Sequence, residues 1–182
     1  MLRLPPGRNP PDDIYVFVEI PAGSGVKYEY DEELGVIVVD RVLYTALVYP
    51  FNYGFIPSTL SEDGDPLDVA LLSSAEFAPG TLVRARPLGL LEMEDEEGLD
   101  YKVVAAPLEK IDPAMADIKD VSDLTKPTLE KIRHFFERYK ELEPGKWVKA
   151  KGYLGREEAK KYIMGAIERF KKQLGDSAEA RR

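Results

Sequence analysis

Apolar and polar positions alternate with a period of two through most of the first two-thirds of the chain. Ile14, Val16, Val18 and Ile20 are interleaved with Tyr15, Phe17 and Glu19, which predicts a strand with two distinct faces. Further strands are predicted at Val26–Tyr30, Gly35–Leu43, Asp68–Leu72, Thr81–Arg86, Leu88–Met93 and Tyr101–Ala106, several of them dense in β-branched residues. Gly and Pro punctuate most of the gaps, at Pro21, Gly23, Gly25, Pro50, Gly54, Pro57, Gly64, Pro79 and Gly80. Many short strands with turn signals between them suggest a barrel or a sandwich. The last third changes period. Leu129, Ile132, Phe136 and Tyr139 recur at three- and four-residue spacing after Pro127, a residue that opens helices well. Pro144 and Gly145 are expected to end that helix. Trp147–Tyr153 reads as one more strand. A final helix is expected over Glu157–Leu174, with Ala159, Ile163, Ala166, Ile167, Phe170 and Leu174 on one face. The residues from about Asp176 to Arg182 read as a polar, frayed tail. The expectation is a single α+β domain over residues 1–182.

Composition narrows the function classes. The 182 residues include 25 Lys and Arg against 33 Asp and Glu, a formal net charge of −8. That balance is wrong for nucleic acid, whose binding rests on cations that neutralise phosphates, and for an anionic membrane surface. A small anionic substrate remains open, provided that local cations or bound metal reverse the sign at the site. Cysteine is absent, which removes thiolate nucleophiles, disulfides and Cys-ligated zinc. His134 is the single histidine, so histidine-rich metal sites are excluded too. Residues Met1–Asp13 carry four prolines and no apolar core, unlike a signal peptide. No stretch approaches the roughly 18 uninterrupted apolar residues of a membrane span. The cytoplasm is the default expectation.

Chemistry-bearing residues concentrate in five places. In Asp63-Gly64-Asp65-Pro66-Leu67-Asp68 three carboxylates fall within six residues, on a segment that Gly and Pro keep from being helical. Such a turn can aim oxygen ligands at a hard cation such as Mg²⁺; alone, it reads equally well as an acidic solvated turn. It is not an EF-hand, whose loop would need an oxygen ligand at Leu67, Gly at Asp68 and Glu at Ser74. The second is the acidic loop Asp95–Asp100, where Asp100 and Lys102 share a strand face as an ion pair or as a ligand and the group behind it. The third joins Lys27 and Glu29, on one strand face near Glu19, with Arg41 in the apolar strand beside Asp40. The Arg41 guanidinium is either a strand end reaching water or a phosphate fork. The fourth is the aromatic run Tyr49-Pro50-Phe51-Asn52-Tyr53-Gly54, where core packing competes with a use for the tyrosine hydroxyls. The fifth is Tyr139-Lys140 at the end of the first predicted helix, a dipole complement or a pair of phosphate donors. Taken together, carboxylates, cations and tyrosines without Cys or clustered His are what metal-assisted phosphoryl chemistry requires.

These residues resemble the family I soluble inorganic pyrophosphatases in their short prokaryotic form. The resemblance runs from about Asp12 to Phe170. It rests on Asp63–Val69, Val18-Glu19-Ile20-Pro21, Lys27-Tyr28-Glu29, Val39-Asp40-Arg41, Tyr49–Gly54, Ile118-Lys119-Asp120-Val121 and Gly145-Lys146-Trp147-Val148-Lys149. It implies a five-stranded OB-like barrel flanked by helices and a site with several Mg²⁺ ions. It further implies that Asp63, Asp68 and Asp100 ligate the tightest metal, that Asp95 helps to hold another, and that Glu29 holds the metal arriving with pyrophosphate. Asp65 would accept the proton of the attacking water. Lys27, Arg41, Tyr53, Tyr139 and Lys140 would grip the phosphates, with Glu19, Asp40, Tyr49, Glu96 and Lys102 behind them. The implied reaction is direct attack by a metal-activated water, with phosphate as product and no covalent intermediate. The implied assembly is a homohexamer. Three rivals compete: a barrel that binds oligonucleotides, against which the charge argues; a phosphatase for a nucleotide or sugar phosphate, which residue types alone do not separate; and a serine hydrolase using His134. The last has no Gly-x-Ser-x-Gly elbow to support it.

Overall fold

The long strand pair at residues 82–107 organises the sheet. In the computed structural model, which describes residues 4–179, the strands are β1 (Gly7–Asn9), β2 (Asp13–Ile20), β3 (Val26–Asp31), β4 (Val36–Val42), β5 (Asn52–Ile56), β6 (Leu67–Leu71), β7 (Leu82–Asp95), β8 (Gly98–Pro107) and β9 (Val148–Leu154). The helices are α1 (Lys126–Arg138) and α2 (Arg156–Glu179). β7 pairs with β8 from Ala85 to Asp95. On its other edge it pairs first with β2, through Leu82–Ala85, and then with β9, through Leu90–Asp95. The sheet runs β1-β2-β5-β6-β8-β7-β9, and the extra β2–β7 pairing joins β2, β5, β6, β8 and β7 in one closed circuit of hydrogen-bonded neighbours. β6 and β8 are parallel and the other pairs of the circuit antiparallel. β3 and β4 form a separate two-stranded sheet. The fold is thus mixed α+β, with a large sheet and two main helices.

Period-two patterning sorts the buried side chains into two packed groups. Leu67, Val69 and Leu71 of β6 and Val103 and Ala105 of β8 join Ala159, Ile163, Ala166 and Ile167 of α2. Ala70 of β6 and Val104 and Ala106 of β8 join Ile132, Phe135 and Phe136 of α1. Strands buried on both faces read as apolar runs, and this one circuit carries a helix-covered core on either side.

Several boundaries depart from expectation. The segments predicted at 81–86 and 88–93 are one strand: the β7–β8 register shifts between Pro87 and Gly89, so the proline that lacks an N–H is absorbed at an irregularity instead of ending the strand. The aromatic run contains a strand, β5, hidden because all five of its residues are buried and no polar alternation shows. α1 stops at Arg138, ahead of Pro144, because three-residue turns replace the helical pattern: Glu141 N–H donates to Arg138 O, Glu143 N–H to Lys140 O and Lys146 N–H to Glu143 O. The expected frayed tail is helical as far as Glu179; its remainder, residues 180–182, lies outside the described residues. Ile118–Val121 also gains an explanation. Asp120 caps a short 3₁₀ turn and accepts the Arg156 N–H at 2.7 Å, fixing the start of α2. Among the described residues no helix is long and apolar enough to cross a membrane.

Gly54 is the tightest point between β2 and β5. A Cβ there would lie 1.9 Å from the Phe17 carbonyl oxygen, a backbone atom that cannot rotate away. Gly54→Ala is therefore expected to destabilise the fold by at least the ~1–3 kcal/mol typical of overpacking. Urea unfolding should show a lowered midpoint, and an unchanged midpoint would contradict this packing.

Candidate active site

A cleft of about 410 Å³ opens where the β3–β4 hairpin, the 63–66 turn, the β7–β8 tip and the C-terminal end of α1 meet. Asp68, near the start of β6, stands beside Lys102 of the parallel neighbour β8; the pairing of Val69 with Val103 sets that proximity. Lys102 Nζ donates to Asp68 Oδ2 at 2.5 Å and lies 2.9 Å from Asp100 Oδ2. Asp100 and Lys102 do share a strand face, but Lys102 is buried (8% exposed), so this is not the exposed pair that charge spacing alone suggests. Burial alone would push the Lys102 ammonium towards neutrality; the carboxylates of Asp68 and Asp100 outweigh it and hold the proton more tightly than usual. Burial raises the Asp100 carboxyl, and Lys102 offsets part of that rise.

The Asp63 turn is sharp because Gly64 sits at φ +95, a conformation natural only to glycine. Ser61 N–H closes the turn on Asp65 O at 2.7 Å, and Asp63 Oδ1 accepts the Asp65 N–H at 3.0 Å. Asp65 is left with its carboxyl facing the cleft, raised above its ordinary value by burial and then by the charges of Asp63 and Asp68. Glu19 accepts the Tyr30 N–H at 2.7 Å, which ties β2 to β3. Burial drives its carboxyl up to about 8, against that hydrogen bond and with help from Asp68 and Glu29.

Cations ring the cleft. Lys27 pairs with Glu29 and lies 3.5 Å from Asp40. Lys140 reaches Asp95 at 3.1 Å and Glu96 at 3.7 Å. Burial would raise Glu96, but hydrogen bonds from Lys146, its own amide and the Trp147 amide, with the Lys140 charge, pull it down to about 2. Tyr49, Tyr53 and Tyr139 line the cleft above Phe135 and Phe136: Tyr49 stands 4.6 Å from Phe135 and Tyr139 5.1 Å, centroid to centroid. Burial raises the Tyr49 and Tyr53 hydroxyls well above their ordinary value, so both stay protonated.

Of the residues marked in the sequence, Asp40, Arg41 and Glu96 do not line the cleft, and the rest do. Arg41 turns to Asp40 and Glu143. The sequence reading missed Glu32, Glu97 and Phe136 as lining residues; Glu97 lay in the acidic loop already marked, whereas Glu32 gave no signal beyond a hairpin turn. His134 lies elsewhere, beside a separate hollow lined by Leu47, Val48 and Pro50.

The lining holds nine carboxylates (Glu19, Glu29, Glu32, Asp63, Asp65, Asp68, Asp95, Glu97, Asp100) against three lysines (Lys27, Lys102, Lys140). Such an excess suits hard cations with oxygen ligands. Among the described residues no three of these groups stand close enough to ligate one ion together.

The inorganic pyrophosphatase family model matches residues 16–171. The chain belongs to the inorganic pyrophosphatase family. The Aquifex pyrophilus inorganic pyrophosphatase is 59% identical over 93% of this chain and 96% of its own length. The Saccharolobus solfataricus enzyme is also 59% identical, over 93% and 99%. Among solved structures, the Helicobacter pylori pyrophosphatase superposes with a TM-score of 0.90 at 50% identity, covering 93% of this chain and 99% of that one. The Thermus thermophilus pyrophosphatase does so with 0.89 at 48%, covering 92% and 97%. The near-complete coverage of these pyrophosphatases places the chain in the short prokaryotic family I form.

The Glu19 carboxyl gives a pH dependence with a defined sign. Between 4.5 and about 8 the folded protein holds a proton that the unfolded chain has released. Stability of the chelator-treated protein therefore falls as pH rises through that window. Glu19→Gln should flatten the decline in urea-unfolding free energy against pH; equal slopes in the two proteins would contradict the assignment.

Proposed function

We propose that the chain hydrolyses inorganic pyrophosphate to two phosphates in a Mg²⁺-dependent reaction. The observation that carries this reading is the excess of carboxylates over lysines in the cleft of a chain that belongs to the pyrophosphatase family. Asp63, Asp68 and Asp100, which stand apart in this structure, would draw together around one Mg²⁺ when it binds, Asp95 with Asp100 would hold a further one, and Glu29 the ion that accompanies the substrate. When bound, these ions would offset the substrate's charge and lower the pKa of coordinated water. Water attacks one phosphorus directly, one P–O bond forms as the bridging P–O bond breaks, and phosphate leaves. Asp65 takes the proton from that water, and burial moves its carboxyl in the direction that a general base needs. Lys27, Tyr53, Tyr139, Lys140 and, after reorientation, Arg41 donate to phosphate oxygens, with the charge that builds there as their target. Tyr53 serves as a donor because burial keeps its hydroxyl protonated. Glu19, Asp40, Tyr49, Glu96 and Lys102 hold these groups in place.

The closed circuit of strands is read as a five-stranded OB-like barrel, and residues 1–182 as one domain. The net charge of −8 supports a protein with no nucleic-acid or membrane partner. Cytoplasmic residence and a homohexameric assembly complete the proposal, both carried by the family resemblance.

Phosphate release tests the reading. Pyrophosphate should be hydrolysed with Mg²⁺ and not with excess chelator, while ATP and a sugar phosphate turn over slowly by comparison. Fast release from the sugar phosphate would favour a general phosphatase. Asp65→Asn should retain the fold by circular dichroism and lose about 100-fold or more in kcat, as expected for a missing general base; near-normal turnover would remove Asp65 from that role.

A further inference from the structure

Arg41 stands at the edge of the cleft, outside its lining, with one terminal nitrogen donating to Asp40 Oδ2. Its register partner on β3, Lys27, lines the cleft, and so does Tyr139 beside it. Arg41 instead meets Glu143, in the turn that follows α1, with Nε 3.2 Å from Glu143 Oε1 and a terminal nitrogen donating to Oε2 at 3.4 Å. The pair is two-pronged but poorly made. The second contact is long, and the buried Nε has no hydrogen bond of acceptable geometry despite its distance. A guanidinium beside a carboxylate normally forms two short parallel bonds. Here the charges are close while the directional bonding is incomplete. Phosphate oxygens could complete it. The Glu143 side chain is 12% exposed and that of Arg41 26%, so water does not fully screen the contact. The backbone adds a second link, since Glu143 N–H donates to the Lys140 carbonyl. The turn that holds Arg41 is the turn that carries Lys140.

We propose that Glu143 is a positioning residue that keeps Arg41 turned from the cleft, and that pyrophosphate oxygens bind Arg41 by exchanging with it. This deepens the pyrophosphatase reading and rests on it for the role of Arg41. The exchange sets substrate affinity: ligand must displace a carboxylate before it gains the guanidinium. It also predicts that the 139–145 turn and the β3–β4 hairpin uncouple when ligand binds.

The test is a double-mutant cycle with Glu143→Gln and Arg41→Met. Two readouts are taken with Mg²⁺ present: binding of imidodiphosphate by calorimetry, and KM and kcat for pyrophosphate. With Arg41 present, Glu143→Gln should tighten imidodiphosphate binding and lower KM by about threefold, the scale of one partly exposed ion pair. The change should fall on KM rather than kcat. With Arg41→Met it should have no effect on either readout. Unchanged or weaker binding in Glu143→Gln overturns the proposal. So does an equal gain in both backgrounds, which would mean that only a nearby negative charge had been removed. A wild-type protein that does not turn over pyrophosphate defeats the functional reading separately, because imidodiphosphate binding still reports the coupling.

Discussion

The cleft depends on one buried charge. Lys102 stands between Asp68 and Asp100 and lets carboxylates from two strands occupy the same corner of the sheet. Without it, two partly exposed carboxylates would face each other with nothing between them, and the repulsion would be unrelieved. The arrangement is fixed by the backbone. β6 and β8 are parallel, their register is set by apolar pairs such as Val69 with Val103, and those pairs sit in a core that α2 covers. The side-chain positions at the floor of the cleft are therefore a consequence of packing one layer below.

Three lysines do not neutralise nine carboxylates. Burial is the first cause of the raised carboxyls of Glu19, Asp65 and Asp100, and neighbouring carboxylates add to it in each case. A site that raises its own acids is one that cations would relieve. The same surroundings keep the buried tyrosine hydroxyls protonated, so the cleft combines acceptors for metal with neutral donors for oxyanions.

Much of this was legible in the chain. Asp100 and Lys102, two residues apart on a strand, had to share a face, and the Gly64 turn had to be sharp. Period-two runs located most strands, and the three- and four-residue spacing located both helices. What the sequence hid were features decided by distant partners. β5 carries no alternation because both its faces are buried, and β7 continues through Pro87 because β8 absorbs the irregularity. The direction of Arg41 was equally invisible: its strand position was clear, but Glu143 lies 102 residues away. Asp120 looked like a patterned residue without chemistry, and its partner, the start of α2, is 36 residues on.

The positions of the cations bear on selectivity. Asp68, Asp100 and Lys102 belong to the strand circuit, whereas Lys27, Arg41 and Lys140 belong to the hairpin and to the turn after α1. Each outer cation is engaged by carboxylate: Lys27 by Glu29, Arg41 by Asp40 and Glu143, Lys140 by Asp95. On the proposed function, a phosphate oxygen gains such a cation only by exchange, and one exchange returns little because partly exposed pairs are weak on either side of it. A ligand with several anionic oxygens spread over two phosphorus atoms can make all the exchanges at once, and the cations it brings can take up the carboxylates it frees. A monophosphate makes fewer exchanges and leaves the remaining pairs intact. Discrimination of this kind needs no pocket shaped to exclude the smaller ion. It follows from distributing weak, self-neutralised cations around an acidic floor.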